Sequence, residues 1–133
     1  EVAVEAGVQW VRLPLERGTR AAGIRSAAKR GLIRWLCRGG RRTLQSRNLR
    51  TTDHFAGIGQ TGVLNSAALG FILQNVEVGS TEVMCHPGYT DAEAAAYSRR
   101  PPHREGELRA LTDPATRAIV EAEGIELISF REP

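Results

Sequence analysis

Residues 49–88 have the sequence LRTTDHFAGIGQTGVLNSAALGFILQNVEVGSTEVMCHPG, and this stretch decides the fold. Leu49–Phe55 predicts a short strand, which a glycine-rich loop follows. The polar pair Asn65-Ser66 can cap a helix that runs to about Asn75. Thr81–Cys85 predicts a second strand, which ends where a Pro-Gly pair turns the chain out of the sheet. Strand, helix and strand in this order are typical of two parallel strands joined by a helical crossover.

The flanking sequence continues this alternation of strands and helices. It predicts strands at Gly7–Leu13 and Ile125–Phe130. It predicts helices at Ala21–Leu36, at Glu105–Leu111 and from Asp113-Pro114 to Gly124. One further helical turn is predicted around Ala92–Tyr97. The predicted fold class is therefore α/β, with a mainly parallel sheet and crossover helices.

Length and composition indicate one ordinary domain. The chain has 133 residues, of which 41% are hydrophobic and 25% charged, which are values typical of soluble globular proteins. No stretch approaches the roughly 20 apolar residues of a membrane helix, and no export signal is visible, so we expect a cytoplasmic protein. Cys37 and Cys85 are the only cysteines, too few for a disulfide framework, and we expect two reduced thiols.

The net charge of +3 is unevenly distributed. Residues 1–50 carry 12 Lys and Arg against 3 Glu, whereas residues 51–133 carry 6 Arg against 12 Asp and Glu. We interpret residues 17–50 as a basic helix and loop that leave their arginines in solvent. The helix should pack an apolar stripe on the body of the protein or on a partner subunit; the stripe comprises Ala21, Ile24, Ala28, Leu32 and Leu36. The alternative is a polyanion-binding arm, which the scarcity of interleaved aromatic residues disfavours.

Two of the three histidines stand at the ends of predicted strands. His54 and His86 each precede a glycine-containing turn. Because the chemistry of parallel α/β folds lies at the carboxyl ends of strands, both are candidates for metal ligation or general acid catalysis. The alternative for each is a hydrogen-bonded structural histidine, and spacing alone does not decide between them. His103, in a polar loop, is assigned no role.

The neighbours of the two histidines have simpler interpretations. Asp53 supports the site indirectly or caps a turn, because adjacent side chains of an extended backbone point to opposite faces. We expect Glu77 and Glu82 to be solvent-facing or turn residues. Met84 and Cys85 continue an apolar strand and are expected in the core.

Several stretches carry a resemblance to a known family. They are Thr52–Ile58 (TDHFAGI) with Thr61-Gly62, Gly79–Tyr89 (GSTEVMCHPGY), Trp10–Pro14, Glu107-Leu108 with Leu111–Pro114, and Gly124-Ile125 through Ser129–Arg131. In this order they resemble the YdjC-like carbohydrate deacetylase family over most of the chain. No specific motif is visible in Arg17–Arg50.

The resemblance implies an activity and roles for both histidines. Members look like divalent-metal-dependent hydrolases on a distorted TIM-like barrel that remove acetyl groups from N-acetylated sugars of the chitooligosaccharide type. His54 matches a metal-ligating histidine of the family pattern. His86 matches an active-site histidine, which would protonate the departing amine. Mg²⁺ is the first expectation for the metal and Zn²⁺ the second.

The chain departs from the family pattern at its amino-terminal end. It has no Asp-Asp motif and no His-x-His motif. A complete eight-unit barrel takes about 250 residues, so we interpret residues 1–133 as a single partial domain, the carboxyl-terminal half of a deacetylase, inactive by itself. Residues 17–50 would be an insertion within it. The alternative is a non-catalytic binding or oligomerisation module. The expected partner is an N-acetylated oligosaccharide substrate, and we also consider a homodimer of the chain with a second copy of itself. We expect it to bind neither a membrane nor nucleic acid.

Overall fold

The computed structural model describes residues 2–16, 24–90 and 101–130. The chain divides into two compact units. The first unit comprises Glu1–Gly59, Glu77–Val83 and Phe130–Pro133, and the second comprises Gln60–Val76 and Met84–Ser129. The assignment of the whole chain to a single partial domain stays a prediction, as does the half-barrel.

Six helices and two strands are assigned in the described residues. In chain order they are α1 (Val2–Glu5), α2 (Ile24–Leu36), α3 (Gly40–Gln45), β1 (His54–Ala56), α4 (Ser66–Leu73), β2 (Thr81–Val83), α5 (Pro101–Thr112) and α6 (Pro114–Ala122). Within the described ranges, no helix combines the length and the apolar character that crossing a membrane requires. The predicted turn around Ala92–Tyr97 lies outside these ranges.

The first unit contains a parallel pair of strands, β1 and β2. His54 is opposite Thr81, Phe55 is opposite Glu82 and Ala56 is opposite Val83. Phe55 and Glu82 are the buried residues at the strand centres. A further parallel bridge joins Trp10 to Arg50. The α/β class and the parallel direction of pairing are therefore confirmed.

The predicted extent of the sheet was wrong. Gly7–Leu13 contributes one bridge, in which the Val11 N–H donates to the Arg50 carbonyl at 2.9 Å. Ile125–Phe130 is not a strand, and Leu127 is 79% exposed. A segment rich in β-forming residues becomes a strand only where a neighbouring strand pairs with it. Among the described residues, no strand pairs with Ile125–Phe130.

Helix α2 confirms the predicted helix from Ile24 onward; residues 17–23 lie outside the described ranges. The expected packing of its apolar stripe on the body was wrong where side chains are described. Leu32 and Leu36 are 59% and 65% exposed, and Ala28 is also exposed. Ile33 and Cys37 are half-buried instead, so a neighbouring face of the helix is turned inward. Packing of the stripe on a partner subunit stays a prediction.

Helix α3 was not predicted from the sequence. Gly39 adopts a left-handed backbone conformation, with φ of 76°, and a second helix begins at Gly40. The Gly-Gly pair therefore ends α2, as predicted, and also starts the next helix. A side chain at Gly40 would lie 2.7 Å from Leu13 Cδ1, so this turn approaches the core of the first unit closely.

The second unit is helical, and its helix ends follow the predicted capping residues. The Asn65 side chain accepts from the Ala68 N–H at 2.9 Å, and the Asp113 side chain accepts from the Ala115 N–H at 2.9 Å. Gly124 follows α6 with φ of 62°. Helix α5 includes the predicted Glu105–Leu111 but starts earlier. The apolar core of this unit consists of Leu64, Leu69, Ile72, Leu73 and Ala110.

Candidate active site

His54 is the first residue of β1, whereas the sequence placed it at the end of a strand. Its N–H donates to the Ser80 carbonyl at 2.9 Å, as part of the pairing with β2. Its ring nitrogen Nε2 lies 3.2 Å from the Val78 carbonyl, and Nδ1 lies 3.7 Å from Glu77 Oε1. A carbonyl oxygen only accepts hydrogen bonds, so Nε2 carries a proton and Nδ1 faces the carboxylate.

Asp53 joins the start of β1 to the residue before β2. Its Oδ2 accepts from the Ser80 N–H at 3.0 Å and from Ser80 Oγ at 2.8 Å. Hydrogen bonds from the Ser80 N–H and hydroxyl, together with the positive charge of Arg41, lower the pKa of the Asp53 carboxyl from 3.8. Asp53 therefore links the starts of the two paired strands, and a role of this residue beside the site stays a prediction.

Arg41 and Gly79 support this arrangement. Arg41 Nη2 donates to the carbonyls of Thr52 and Asp53, each at 3.0 Å. Gly79 has φ of 115°, and a Cβ at this position would lie 2.9 Å from Asp53 Oδ2. A residue without a side chain is therefore required beside the carboxylate.

His86 follows β2 and is held by the buried carboxylate of Glu107 on α5. The His86 N–H donates to Glu107 Oε2, and His86 Nδ1 lies 3.8 Å from the same oxygen. The Glu107 side chain is 3% exposed and the His86 side chain 51% exposed. The backbone of His86 is thus anchored to Glu107, and the imidazole is half exposed.

The rest of the His86 loop also lies against α5. The Gly88 N–H donates to the Arg104 carbonyl at 3.3 Å, and the Thr90 N–H donates to Glu105 Oε1 at 2.9 Å. A Cβ on Gly88 would lie 2.9 Å from the Arg104 guanidinium. The Pro-Gly turn therefore brings the loop backbone close to the helix.

Three buried glutamates were not identified as site residues from the sequence. Glu16 accepts from the Gly57 N–H at 2.8 Å and the Gly59 N–H at 3.0 Å, so it holds the glycine loop after β1. Glu107 holds the His86 loop. Glu82 forms an ion pair with Arg12 and is 9% exposed, so its predicted solvent-facing position was wrong. A glutamate inside a predicted strand was the available signal for Glu82.

The other residues considered from the sequence differ in exposure. His103 is exposed on α5, and Glu77 is exposed beside His54. Met84 and Cys85 are half-buried rather than fully in the core. Within the described residues, neither Cys37 nor Cys85 forms a disulfide bond. His54 belongs to the first unit and His86 to the second, and a shared cleft stays a prediction.

A sequence model of the family described as YdjC-like protein matches residues 1–122, which include both histidine segments. The chain belongs to the YdjC-like family. The resemblance carried by the TDHFAGI and MCHPG stretches is therefore confirmed.

Curated relatives of this YdjC-like chain are named carbohydrate deacetylases. The human protein of that name is 32% identical, over 93% of this chain and 44% of its own length. The Geobacillus stearothermophilus protein is 34% identical, over 68% of this chain and 38% of its own length. The YdjC-like chain thus spans less than half the length of these relatives.

A solved structure shares the fold. A protein from Enterococcus faecalis V583, named for cellobiose-phosphate cleavage, superposes with a TM-score of 0.61 at 20% identity, covering 98% of the YdjC-like chain and 44% of its own. At this identity the likeness concerns the fold alone.

The family resemblance implies a divalent metal, which needs a cluster of ligating side chains. Within ranges 2–16, 24–90 and 101–130, no group of three or more His, Cys, Asp or Glu side chains could hold a metal ion. At the predicted ligand, His54 Nδ1 and Glu77 Oε1 form a pair 3.7 Å apart. A catalytic metal centre takes about three protein ligands, so the described residues of this YdjC-like chain do not by themselves fit the metal.

Proposed function

We propose that the chain is part of a carbohydrate deacetylase, a hydrolase that releases acetate from N-acetylated sugars. The observation that supports the proposal is the similarity to curated carbohydrate deacetylases, one of which aligns with 93% of the chain. The proposed substrate is an oligosaccharide of the chitooligosaccharide type, and the proposed location is the cytoplasm.

In the proposed reaction, His86 acts as the general acid. Water adds to the acetyl carbonyl and loses its proton to a base from outside the described residues, the C–N bond breaks, and the departing amine takes up a proton. We assign the donation of that proton to the His86 ring. Glu107 Oε2 accepts from the His86 N–H and lies 3.8 Å from Nδ1, so it can position the residue for this task. The exposed side of the ring is then directed toward the substrate.

The proposal includes a divalent metal, Mg²⁺ before Zn²⁺, with His54 as one ligand. Such an ion polarises a carbonyl and lowers the pKa of bound water. Glu77 beside His54 is a second oxygen donor, and the remaining ligands would come from outside the described residues. The 133-residue chain by itself should therefore bind metal weakly and release no acetate.

The experiment compares this chain with the same chain completed by the amino-terminal segment of a curated relative. Acetate release from N,N′-diacetylchitobiose is measured with and without Mg²⁺ or Zn²⁺. We expect activity in the completed protein only. In it, His86→Ala should slow turnover roughly 10²–10⁴-fold while metal content is unchanged. His54→Ala should remove the metal, as elemental analysis would show.

The matched control is His103→Ala, because this third histidine is exposed on α5. It should change neither turnover nor metal content. Full activity after replacement of both His54 and His86 would contradict the site assignment. Absence of acetate release from every N-acetylated sugar tested would contradict the function.

A further inference from the structure

The first unit contains a pocket whose lining does not include His54. Its volume is about 540 Å³, and it is lined by Gly7, Val8, Gln9, Trp10, Arg12, Glu82 and Phe130. This volume is within the roughly 300–1,000 Å³ range of small-molecule sites. Trp10 and Phe130 supply aromatic surface, with ring centroids 5.7 Å apart. Arg12 and Glu82 supply one positive and one negative charge.

The pocket contains buried hydrogen-bonding groups that lack partners among the described residues. Glu82 pairs with Arg12 through Oε1, while Oε2 is buried and has no hydrogen-bond partner. The Glu82 side chain is 8% exposed. The indole Nε1 of Trp10 is likewise buried without a partner. Buried polar atoms are nearly always hydrogen-bonded in native proteins, so two residues of the lining retain unused hydrogen-bonding capacity, an acceptor on Glu82 and a donor on Trp10, which a polar ligand can use.

We propose that this pocket binds an uncharged sugar ring. The choice of a sugar rests on the proposed function, whereas the polarity of the ligand follows from the pocket. Arg12 and Glu82 already neutralise each other, so a ligand with a net charge would leave one charge uncompensated. Hydroxyl groups both donate to Glu82 Oε2 and accept from Trp10 Nε1. The apolar faces of a sugar ring match the aromatic walls.

The pocket is separate from the His54 side chain. Successive side chains of a strand point to opposite faces, and residues opposite each other in a pair share a face. Phe55 and Glu82 are paired, and both are buried. His54, adjacent to Phe55, therefore projects to the other face of the two strands. The pocket would hold a sugar unit other than the one placed at His54.

The test uses the two tryptophans of the chain as reporters. In ¹H–¹⁵N spectra of the 133-residue chain, N,N′-diacetylchitobiose and cellobiose should shift the Trp10 indole signal. The Trp35 signal should stay in place, because that side chain is 63% exposed on α2. Sorbitol, a polyol without a ring, should shift neither signal. An unmoved Trp10 signal at saturating sugar would overturn the proposal.

Variants separate recognition from folding. Trp10→Phe keeps an aromatic ring at this position but removes the indole N–H, and should weaken disaccharide binding about tenfold. Trp35→Phe is its matched control and should bind like the parent chain. Glu82→Gln leaves Arg12 unneutralised, so it should weaken cellobiose binding about tenfold and improve binding of glucuronate. Glu126→Gln replaces an exposed glutamate in the second unit and should change the binding of neither cellobiose nor glucuronate.

The outcomes distinguish this proposal from the proposed function. Sugar binding at Trp10 in a completed protein that releases no acetate would support the pocket and contradict the deacetylase assignment. Acetate release with an unchanged KM in both Trp10→Phe and Glu82→Gln would support the deacetylase and overturn the pocket. Circular dichroism melting of each variant verifies that the protein is folded.

Discussion

Glu107 shows how a single buried carboxylate determines the position of a candidate catalytic loop. It is 2% exposed, and its Oε2 accepts from the His86 N–H. The same oxygen lies 3.8 Å from His86 Nδ1, so the hydrogen bond holds the backbone of the histidine and leaves the ring near the carboxylate. Hydrogen bonds to charged groups are stronger than those between neutral groups, which favours a carboxylate here over an amide.

We expect Glu107→Ala to lower the free energy of unfolding by about 1–3 kcal/mol, because the part-buried His86 N–H loses its acceptor. Urea unfolding measures the change. Glu121→Ala is the control, since its ion pair with Arg117 is exposed and such pairs contribute at most about 1 kcal/mol. Equal losses in the two variants would contradict the anchoring role of Glu107.

Asp53 should make stability depend on pH. Its pKa is lowered in the folded chain, chiefly by hydrogen bonds from the Ser80 N–H and hydroxyl. A carboxyl with a lowered folded pKa stabilises the fold above its unfolded pKa, and this contribution is lost as pH falls through the folded value. We expect Asp53→Asn to be less stable at pH 7 and to lose less stability between about pH 5 and about pH 2.

Urea midpoints measured across that pH range provide the test. Ser80→Ala removes the hydroxyl donor and should flatten the pH dependence partly. The pKa of Asp113 is also lowered. Because Asp113 is present in all these proteins, it contributes the same dependence of stability on pH to each of them. Parallel curves for Asp53→Asn and the parent chain would contradict the assignment.

The sequence identified both histidines but not the groups that hold them. His54 and His86 stand in recognisable motifs, so their segments were found directly. Glu16 and Glu107 are ordinary glutamates in the sequence, and they become buried acceptors only because tertiary packing brings N–H donors to them. Nothing local in the chain specifies those donors.

At the scale of elements, helix ends were predictable and strands were less so. The caps at Asn65 and Asp113 involve residues within three positions of each other, and both were found from the sequence. A strand needs a partner that is distant in the chain. Thr81–Val83 pairs with β1, whereas Ile125–Phe130 has no partner strand among the described residues. The same β propensity therefore had two different outcomes.

The Asn65 cap is a direct test at this scale. Its side chain accepts from the Ala68 N–H at the start of α4. We expect Asn65→Ala to lower the free energy of unfolding by about 0.5–2 kcal/mol. Asn65→Ser keeps an acceptor and should cost only a small part of that amount. Urea unfolding monitored by circular dichroism compares them, and equal losses would argue against capping as the cause.

At the scale of the whole molecule, the basic segment gives a prediction about polyanions. Arg34 and Arg38 are exposed, and neighbouring apolar side chains of α2 are exposed as well. We expect only non-specific binding of duplex DNA, with Kd no tighter than about 10⁻⁶ M at physiological salt. Fluorescence anisotropy at two salt concentrations measures it. Tighter binding with a steep salt dependence would instead favour a nucleic-acid-binding module.

The discontinuous make-up of the first unit has a consequence for synthesis on the ribosome. Chains grow by about 5–20 residues per second, so roughly 1 to 5 s separate the appearance of β1 from that of β2. During that interval Phe55 has no strand partner and is an accessible apolar target for chaperones. Phe130, which closes the Trp10 pocket, emerges later still. Translation order therefore completes the strand pair first and the pocket wall afterwards.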